Sequence, residues 1–338
     1  MNGLEILELS PGVTIQDRGR SGFRRFGVTG GGAMDKFGLA EGQLLLHNDA
    51  DDAALEMFAV GGVFRSEDRM TIATSGAEME ISVNGRPVRW RSTIELARED
   101  LLEIGRATVG VFGYLHLPGG IDGPVVLGSR STHEPSGLGW ILEPGDRLRP
   151  NSARRPHQQQ QLPTPKYFSG RTIRIMDGPQ SHLFREQDRR AIVSTEFTVS
   201  GKRNRMGIGL DFEGGPIAAH AGLAIASDAI VPGDIQVSGD GLVTVLMADS
   251  QPMGGYPRIA SVITADQHVL AQFPPGTVFR MERIEPKEAV EALAQLEDQL
   301  SSLAGEVEPV ARDTASMTNL LSYSMISGVV KGDEEHED

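Results

Sequence analysis

The chain has 338 residues, a formal net charge of −14, 39% apolar residues and no cysteine, which is enough for two domains of ordinary size or one large one. The lack of cysteine excludes a disulfide framework and thiolate chemistry. No apolar run approaches the roughly 20 residues of a membrane span, and the first residues lack the basic start and apolar stretch of a signal peptide, so the expectation is a cytoplasmic protein with no membrane partner.

The charge is unevenly placed. Residues 285–338 hold thirteen acids against three bases, a balance of −10 that leaves −4 for the other 284 residues. A nearly neutral body with an acidic tail argues against a nucleic-acid partner, which needs a basic patch. Twenty-seven of the 32 basic residues are arginine, the side chain that grips planar anions bidentately. The base composition of a GC-rich genome accounts for most of that excess. Gly 41 and Pro 19 favour turns and short strands over long helices.

In chain order, residues 4–16 alternate loosely and read as short strands broken at Pro11-Gly12. Residues 37–47 fit a short helix with Asp35 as its N-cap. Ala54 to Phe58, Met70 to Thr74, Met79 to Val83, Thr93 to Leu96 and Thr108 to Leu117 are strand-like, and Asn84-Gly85 is a hairpin signal. Many short strands at regular spacing point to a barrel or sandwich. The organisation expected is a β-rich lobe over 1–150, a Pro/Gln-rich linker over 151–168, a second β-rich lobe over 169–285, and then 286–338 as an amphipathic helix with a mostly disordered acidic tail. Within that last segment Val290, Leu293, Leu296, Leu300 and Leu303 recur at helical spacing over 287–304.

Three Gly-bearing turns carry polar residues that no fold strictly needs. They are Gln16-Asp17-Arg18-Gly19-Arg20 with Gly30 to Asp35, Gly119-Gly120-Ile121-Asp122 with Gly128-Ser129-Arg130-Ser131, and Gln251 with Gly254-Gly255-Tyr256-Pro257. Glycine admits positive φ and close approach of a ligand, and arginines beside such turns suit carboxylate, carbonyl or phosphate groups. One site assembled from distant loops is the expectation. Arg130 and Arg205 either clamp an anion or pin a loop by carbonyl bonds. Asp17 leans towards a chemical role, while Asp35 reads as a cap. Gln16, Gln236 and Gln251 suit an amide or lactam, with a plain structural role the safer reading for Gln236. Tyr256 either stacks on a flat ring or packs in the core. His116 and His133 lack ligand spacing, so no metal site is read. There is no phosphate-cradling G-x-x-x-x-G-K-[ST] loop and no G-x-S-x-G elbow, which argues against P-loop binding of ATP and against a serine acyl-enzyme.

The blocks QDRGRSGFRRFGVTGGGAMD (16–35), YLHLPGGIDGPVVLGSRST (114–132) and IQV…DSQPMGGYPRIASVITAD (235–266) resemble the signature blocks of the KipA, or allophanate-hydrolase-subunit-2, family over roughly residues 3–285. The resemblance implies a mainly β chain of two barrel-like lobes, the C-terminal one cyclophilin-like. It also implies work as the C-subunit of an ATP-dependent 5-oxoprolinase, a hydrolase inactive alone, together with a KipI-like B-subunit plus an A-subunit. ATP, with Mg2+, would be cosubstrate and 5-oxoproline the small-molecule substrate. On this reading Arg130, Arg205 and Asp17 are the catalytic candidates. Gln16, Arg20, Gly120, Ser131, Gln251, Gly254, Gly255 and Tyr256 are the substrate-binding ones. The alternatives are the carboxyltransferase part of a biotin-dependent urea carboxylase or allophanate-type system, and a non-catalytic regulatory role in a complex. The chain departs from the family pattern at four places. Thr29-Gly30 replaces Pro-Pro, Leu117-Pro118 precedes Gly119-Gly120, Gly209 stands where a second arginine is usual after Met206-Gly207, and Pro252-Met253 replaces two threonines. The last two remove polar side chains from site loops and put the substrate in question.

Overall fold

Residues 3–152, 159–164, 170–213, 217, 225–239 and 241–310 are described by a computed structural model. Two sheets organise them. The first contains β1 (Leu4–Leu9), β2 (Thr14–Gln16), β3 (Ala54–Phe58), β4 (Gly62–Ser66), β5 (Met70–Val83), β6 (Arg86–Pro87), β7 (Thr93–Leu96), β8 (Leu101–His116), β9 (Ile121–Asp122) and β10 (Arg147–Pro150). Its main path runs β2-β3-β8-β4-β1-β10-β9, and β5 pairs with β8 while carrying β6 and β7. The two residues that join β5 to β6, Asn84 and Gly85, both have positive φ (51° and 73°), as a two-residue hairpin turn requires.

The split expected between Met70–Thr74 and Met79–Val83 does not occur. Gly76 takes φ +70°, and register shifts between Gly76 and Ile81 absorb the bend, so one long strand stays paired to β8. A glycine that reads as a turn here serves as a kink inside a strand. The helix α1 (Lys36–Leu45) lies across β5 and β8 and starts where Asp35 accepts the Gly38 amide at 2.8 Å.

Short β11 (Gln160–Gln161) separates the lobes. Then follow β12 (Thr172–Asp177), α2 (Glu186–Ser194), β13 (Glu196–Arg203), β14 (Gly207–Phe212), β15 (Asp228–Ala229), β16 (Asp234–Val237), β17 (Val243–Leu246), β18 (Met253–Gly254), β19 (Arg258–Val262), α3 (Gln267–Ala271) and β20 (Val278–Arg283). Seven of these strands close a barrel in the order β12-β19-β16-β17-β14-β13-β20. The closing pair, β12 with β20, is parallel, whereas the other neighbours are antiparallel. β15 and β18 form a ribbon of their own. The mainly β, two-lobed architecture agrees with the expectation from sequence.

The α4 helix (Pro286–Ser302) opens with a capping box between Glu285 and Glu288. It sets Ala292 and Leu296 against Ile263 and Ala265. Beyond it β21 (Glu308–Pro309) pairs with β11, and Leu162 is buried with Leu45 and Leu46, so part of the stretch that reads as a linker is docked. The acidic tail after residue 310 lies outside the described residues. No helix among the described residues is long and apolar enough to cross a membrane.

The core does not stop at the lobe boundary. Ile173, Phe197, Ile208, Ile235, Val245 and Phe279 of the barrel belong to one apolar cluster with Ala33, Met34, Phe112 and Tyr114 of the first lobe. Burial of this shared surface joins the lobes before any polar contact does.

The α1 glycines let the helix sit close on the sheet. A Cβ at Gly42 would fall 2.1 Å from the ring of His116, which is buried and bonded to Ser75 Oγ at 2.9 Å and so cannot swing away. Alanine gains about 1 kcal/mol of helix propensity, but overpacking a core costs about 1–3 kcal/mol or more. Gly42→Ala is therefore expected to lower the urea midpoint, and an unchanged or raised midpoint would show that the helix can lift freely.

Candidate functional site at the lobe seam

The loop between β2 and α1, residues 17–35, leaves the first sheet and lies on the barrel. Arg24 Nη2 donates to the carbonyls of Ile230 at 2.8 Å and Gln251 at 3.2 Å, and Thr29 Oγ1 donates to the Ser250 carbonyl at 3.0 Å. Two polar knots fix this loop.

The first knot is Asp17. Its Oδ1 accepts the Gly19 amide at 2.8 Å and the hydroxyls of Ser129 at 2.6 Å and Ser131 at 2.5 Å, while Oδ2 accepts the Arg130 amide at 2.6 Å. The Asp17 amide in turn donates to Ser131 Oγ at 3.1 Å. Gln16 Nε2 donates to the Thr132 carbonyl at 2.9 Å, and its Oε1 is buried without a partner. The first and second sequence blocks are thus one structure, although more than 100 residues separate Asp17 from Ser129–Ser131. An acid whose two oxygens accept four donors is a positioning group in this geometry.

The second knot is Arg205, on the turn between β13 and β14. It donates from Nε and Nη2 to the two Asp249 oxygens, both at 2.8 Å, and from Nη2 to the Gly32 carbonyl at 2.8 Å. Its Nη1 meets Glu56 Oε1 on β3. Glu56 is fully buried and also accepts the Met34 amide at 2.7 Å and the Tyr114 hydroxyl at 2.8 Å. Burial alone would lower the Arg205 pKa, but Glu56 and Asp249 hold it above the ordinary value, so the guanidinium stays charged. Gln272, the C-cap of α3, extends the seam. It accepts the amides of Val111 at 2.7 Å and Phe112 at 2.9 Å, and it donates to Asp35 Oδ2 at 2.7 Å and the Phe112 carbonyl at 2.8 Å.

Arg20 stands between the knots. Its Nε donates to the Val126 carbonyl at 3.0 Å and its Nη2 to the Ser131 carbonyl, while Nη1 is buried without a partner. Burial lowers its pKa against the pull of Asp17 and Asp249. Gly31, at φ +61°, leaves room here. A Cβ on it would stand 3.5 Å from Arg20 Nη1, 3.6 Å from Ser131 Cβ and 3.8 Å from Asp249 Oδ1. Residues of all three sequence blocks converge on that point. Beside it a cavity of about 390 Å3 is lined by Thr29, His133, Met206, Asp249 and Gln251.

The other predicted residues sit around this centre. Arg130 shares the Asp17 knot through its backbone, and its charge acts on Asp52, where Gly120 packs at φ +77°. Of the predicted site residues Gln251 alone lines this cavity, and Arg20, Asp17, Ser131, Arg130 and Gly120 stand outside its lining. Gly254 and Gly255 form the ribbon edge above Gln236, whose buried Nε2 lacks a partner, and Tyr256 is 45% exposed. His116 is buried and its pKa falls to about 3, which keeps the ring neutral. Among the described residues no group of three or more His, Cys, Asp or Glu side chains could hold a metal.

Sequence reasoning passed over Glu56, Asp249, Tyr114 and Gln272. Glu56 had a signal, as a lone acid inside the apolar strand Ala54-Leu55-Glu56-Met57-Phe58. Asp249 directly precedes Ser250-Gln251 at the start of the third block.

Asp17→Asn sets an amide against donors that need acceptors, which costs about 2–3 kcal/mol. The expected result is a lower urea midpoint with faster amide exchange confined at first to residues 126–132. An unchanged midpoint would show that the knot is dispensable.

The chain is similar to known proteins over most of its length. Residues 26–283 match the model of the carboxyltransferase domain, subdomain A and B. The 5-oxoprolinase C-subunit of Escherichia coli is 33% identical over 296 residues, covering 86% of this chain and 94% of that protein. Its Haemophilus influenzae counterpart is 32% identical over 292 residues, covering 85% and 93%. A urea amidolyase of Lachancea kluyveri is 30% identical over 298 residues, covering 79% of this chain but 16% of that longer protein. In fold, the chain matches the Kluyveromyces lactis urea amidolyase with a TM-score of 0.81 at 24% identity, over 90% of this chain and 20% of that one. Spread over most of its length, these matches and the three converging blocks make the chain a member of the carboxyltransferase subdomain A and B family.

Proposed function

We propose that the chain is the C-subunit of an ATP-dependent 5-oxoprolinase, acting with a KipI-like B-subunit plus an A-subunit. The observation that carries the reading is the match over nearly the whole length of two bacterial proteins bearing that name. The seam supports it chemically. A buried guanidinium nitrogen without a partner, facing a glycine that leaves space, suits one anionic oxygen of a small acid.

An unstrained lactam needs activation before water can open it. Phosphorylation of the ring carbonyl oxygen supplies this, after which one water adds at that carbon. The C–N bond then breaks with a proton delivered to nitrogen, and a second water releases phosphate from the acyl phosphate. Arg20 would hold the substrate carboxylate or the anion that develops at the reacting carbon. Asp17 and Ser131 would keep Arg20 in place, Arg205 and Asp249 would fix the opposite wall, and Gln251 would meet the lactam amide. Arg130, Gly120, Gly254, Gly255, Gln16 and Tyr256 would border the bound substrate or the partner face. On this proposal ATP and Mg2+ would bind at the interface with the partner proteins, because the sequence carries no P-loop.

A carboxyl-transfer reading draws on the family description and on the urea amidolyase relative. It alone would bring biotin, and it predicts carboxylation of a urea-like acceptor from a carboxybiotin carrier.

The test mixes the chain with its two cognate partner proteins and follows ATP-dependent glutamate formation from 5-oxoproline. Glutamate should form only in the complete mixture. Arg20→Lys, which keeps charge but loses the fork, should lower kcat/KM by about 10- to 100-fold. A folded, assembled mixture that yields no glutamate would overturn the assignment.

A further inference from the structure

A second cavity, of about 500 Å3, lies against the Gly30–Asp35 run of the same loop. Its floor is Gly31, Ala33 and Met34 of the first lobe with Met247 of the barrel, and its outer wall is the Leu293, Leu296 and Leu300 row of α4. That helix lies beyond the stretch, 26–283, that matches the family model. The size and the position between lobes are those of a small-molecule site. Leu293, Leu296 and Leu300 are only half-buried, so they keep apolar surface facing the cavity although Leu296 also packs against Ile263 and Ala265.

The mouth carries charge. Lys36, the first residue of α1, lines the cavity and forms no ion pair among the described residues. Lys36 is exposed as a residue, while partial desolvation of its side chain lowers its pKa and the nearby Arg18 charge lowers it further. Glu297 on the rim is the one acid of the lining, and it stands beyond ion-pair distance from Lys36. Asp35, next to Lys36, is committed to the Gly38 amide and to Gln272. Lys36 beside the α4 leucines fits a ligand with one negative charge and an apolar body, while Thr264, Gln267 and His268 give the lining a polar edge.

We propose that this cavity is a binding site for a small amphipathic monocarboxylate, with its charge on Lys36 and its apolar body against the leucines of α4. Occupancy would brace α4 against the seam loop at Gly31, Ala33 and Met34.

Octanoate titrated calorimetrically into the full chain is the test, with octanamide as the neutral isostere. Octanoate should bind at least about tenfold more tightly than octanamide. Lys36→Gln should bring the two to the same affinity, and Leu296→Trp, which fills the cavity, should weaken both by about tenfold or more. Lys36 is exposed and reads the charge even if the tryptophan variant does not fold. Absence of octanoate binding, equal binding of octanoate and octanamide to the wild type, or undiminished octanoate binding to either folded variant would overturn the proposal.

Discussion

The clasp of Arg205 on Glu56 and Asp249 is the contact on which the seam depends. It joins a turn of the barrel to a strand of the first sheet and to the third block at once. A buried ion pair of this kind is not automatically a source of stability, because desolvating the ions offsets much of their attraction. Its effect is on specificity of arrangement. Glu56 and Asp249 are both nearly inaccessible, and only one relative placement of the lobes satisfies them. The apolar cluster that runs through both lobes supplies the adhesion, and the clasp selects the register.

That register places the candidate chemistry. Gly32 gives its carbonyl to Arg205, so the Gly30–Asp35 run is held from the barrel side. Asp17 holds the same loop from the first-lobe side through Ser129, Arg130 and Ser131. Arg20 is left between the two, with one guanidinium nitrogen unsatisfied. Other buried polar atoms, among them Arg24 Nε and Arg130 Nε, also lack a partner, so what distinguishes Arg20 is its place between the two knots. Both cavities are lined by this one loop, the first by Gly27 to Thr29 and the second by Gly31, Ala33 and Met34, so a ligand in either would bear on the same backbone.

Much of this was legible in the sequence, and the reasons are physical. Short alternating runs specify strands, and a periodic leucine row specifies α4, because both patterns are local. Asp35 could be read as a cap for the same reason. The three glycine-rich blocks stood out because few structural demands put arginine, acid and glycine together, and residues of all three do meet around Gly31. What could not be read is the division of roles among them. Arg205 looks like an anion grip until Glu56, 149 residues away, is found bonded to it. Asp17 looks like a reactive acid until its two oxygens are found accepting donors from Gly19, Ser129, Arg130 and Ser131. Gly76 reads as a turn, and the strand partner β8 that keeps it in the sheet is distant in sequence. Each of these depends on a pairing that no local period encodes.

The central claim is that the lobes fold and hold as one unit through the clasp. Both tryptophans, Trp90 and Trp140, belong to the first lobe, so their fluorescence reports that lobe alone, while far-ultraviolet circular dichroism reports the whole chain. Urea unfolding followed by both probes should give coincident transitions for the wild type. Arg205→Met leaves two buried acids unpaired and should lower the midpoint by the equivalent of about 3–5 kcal/mol. Separate transitions in the wild type, or an unmoved midpoint in Arg205→Met, would contradict the account.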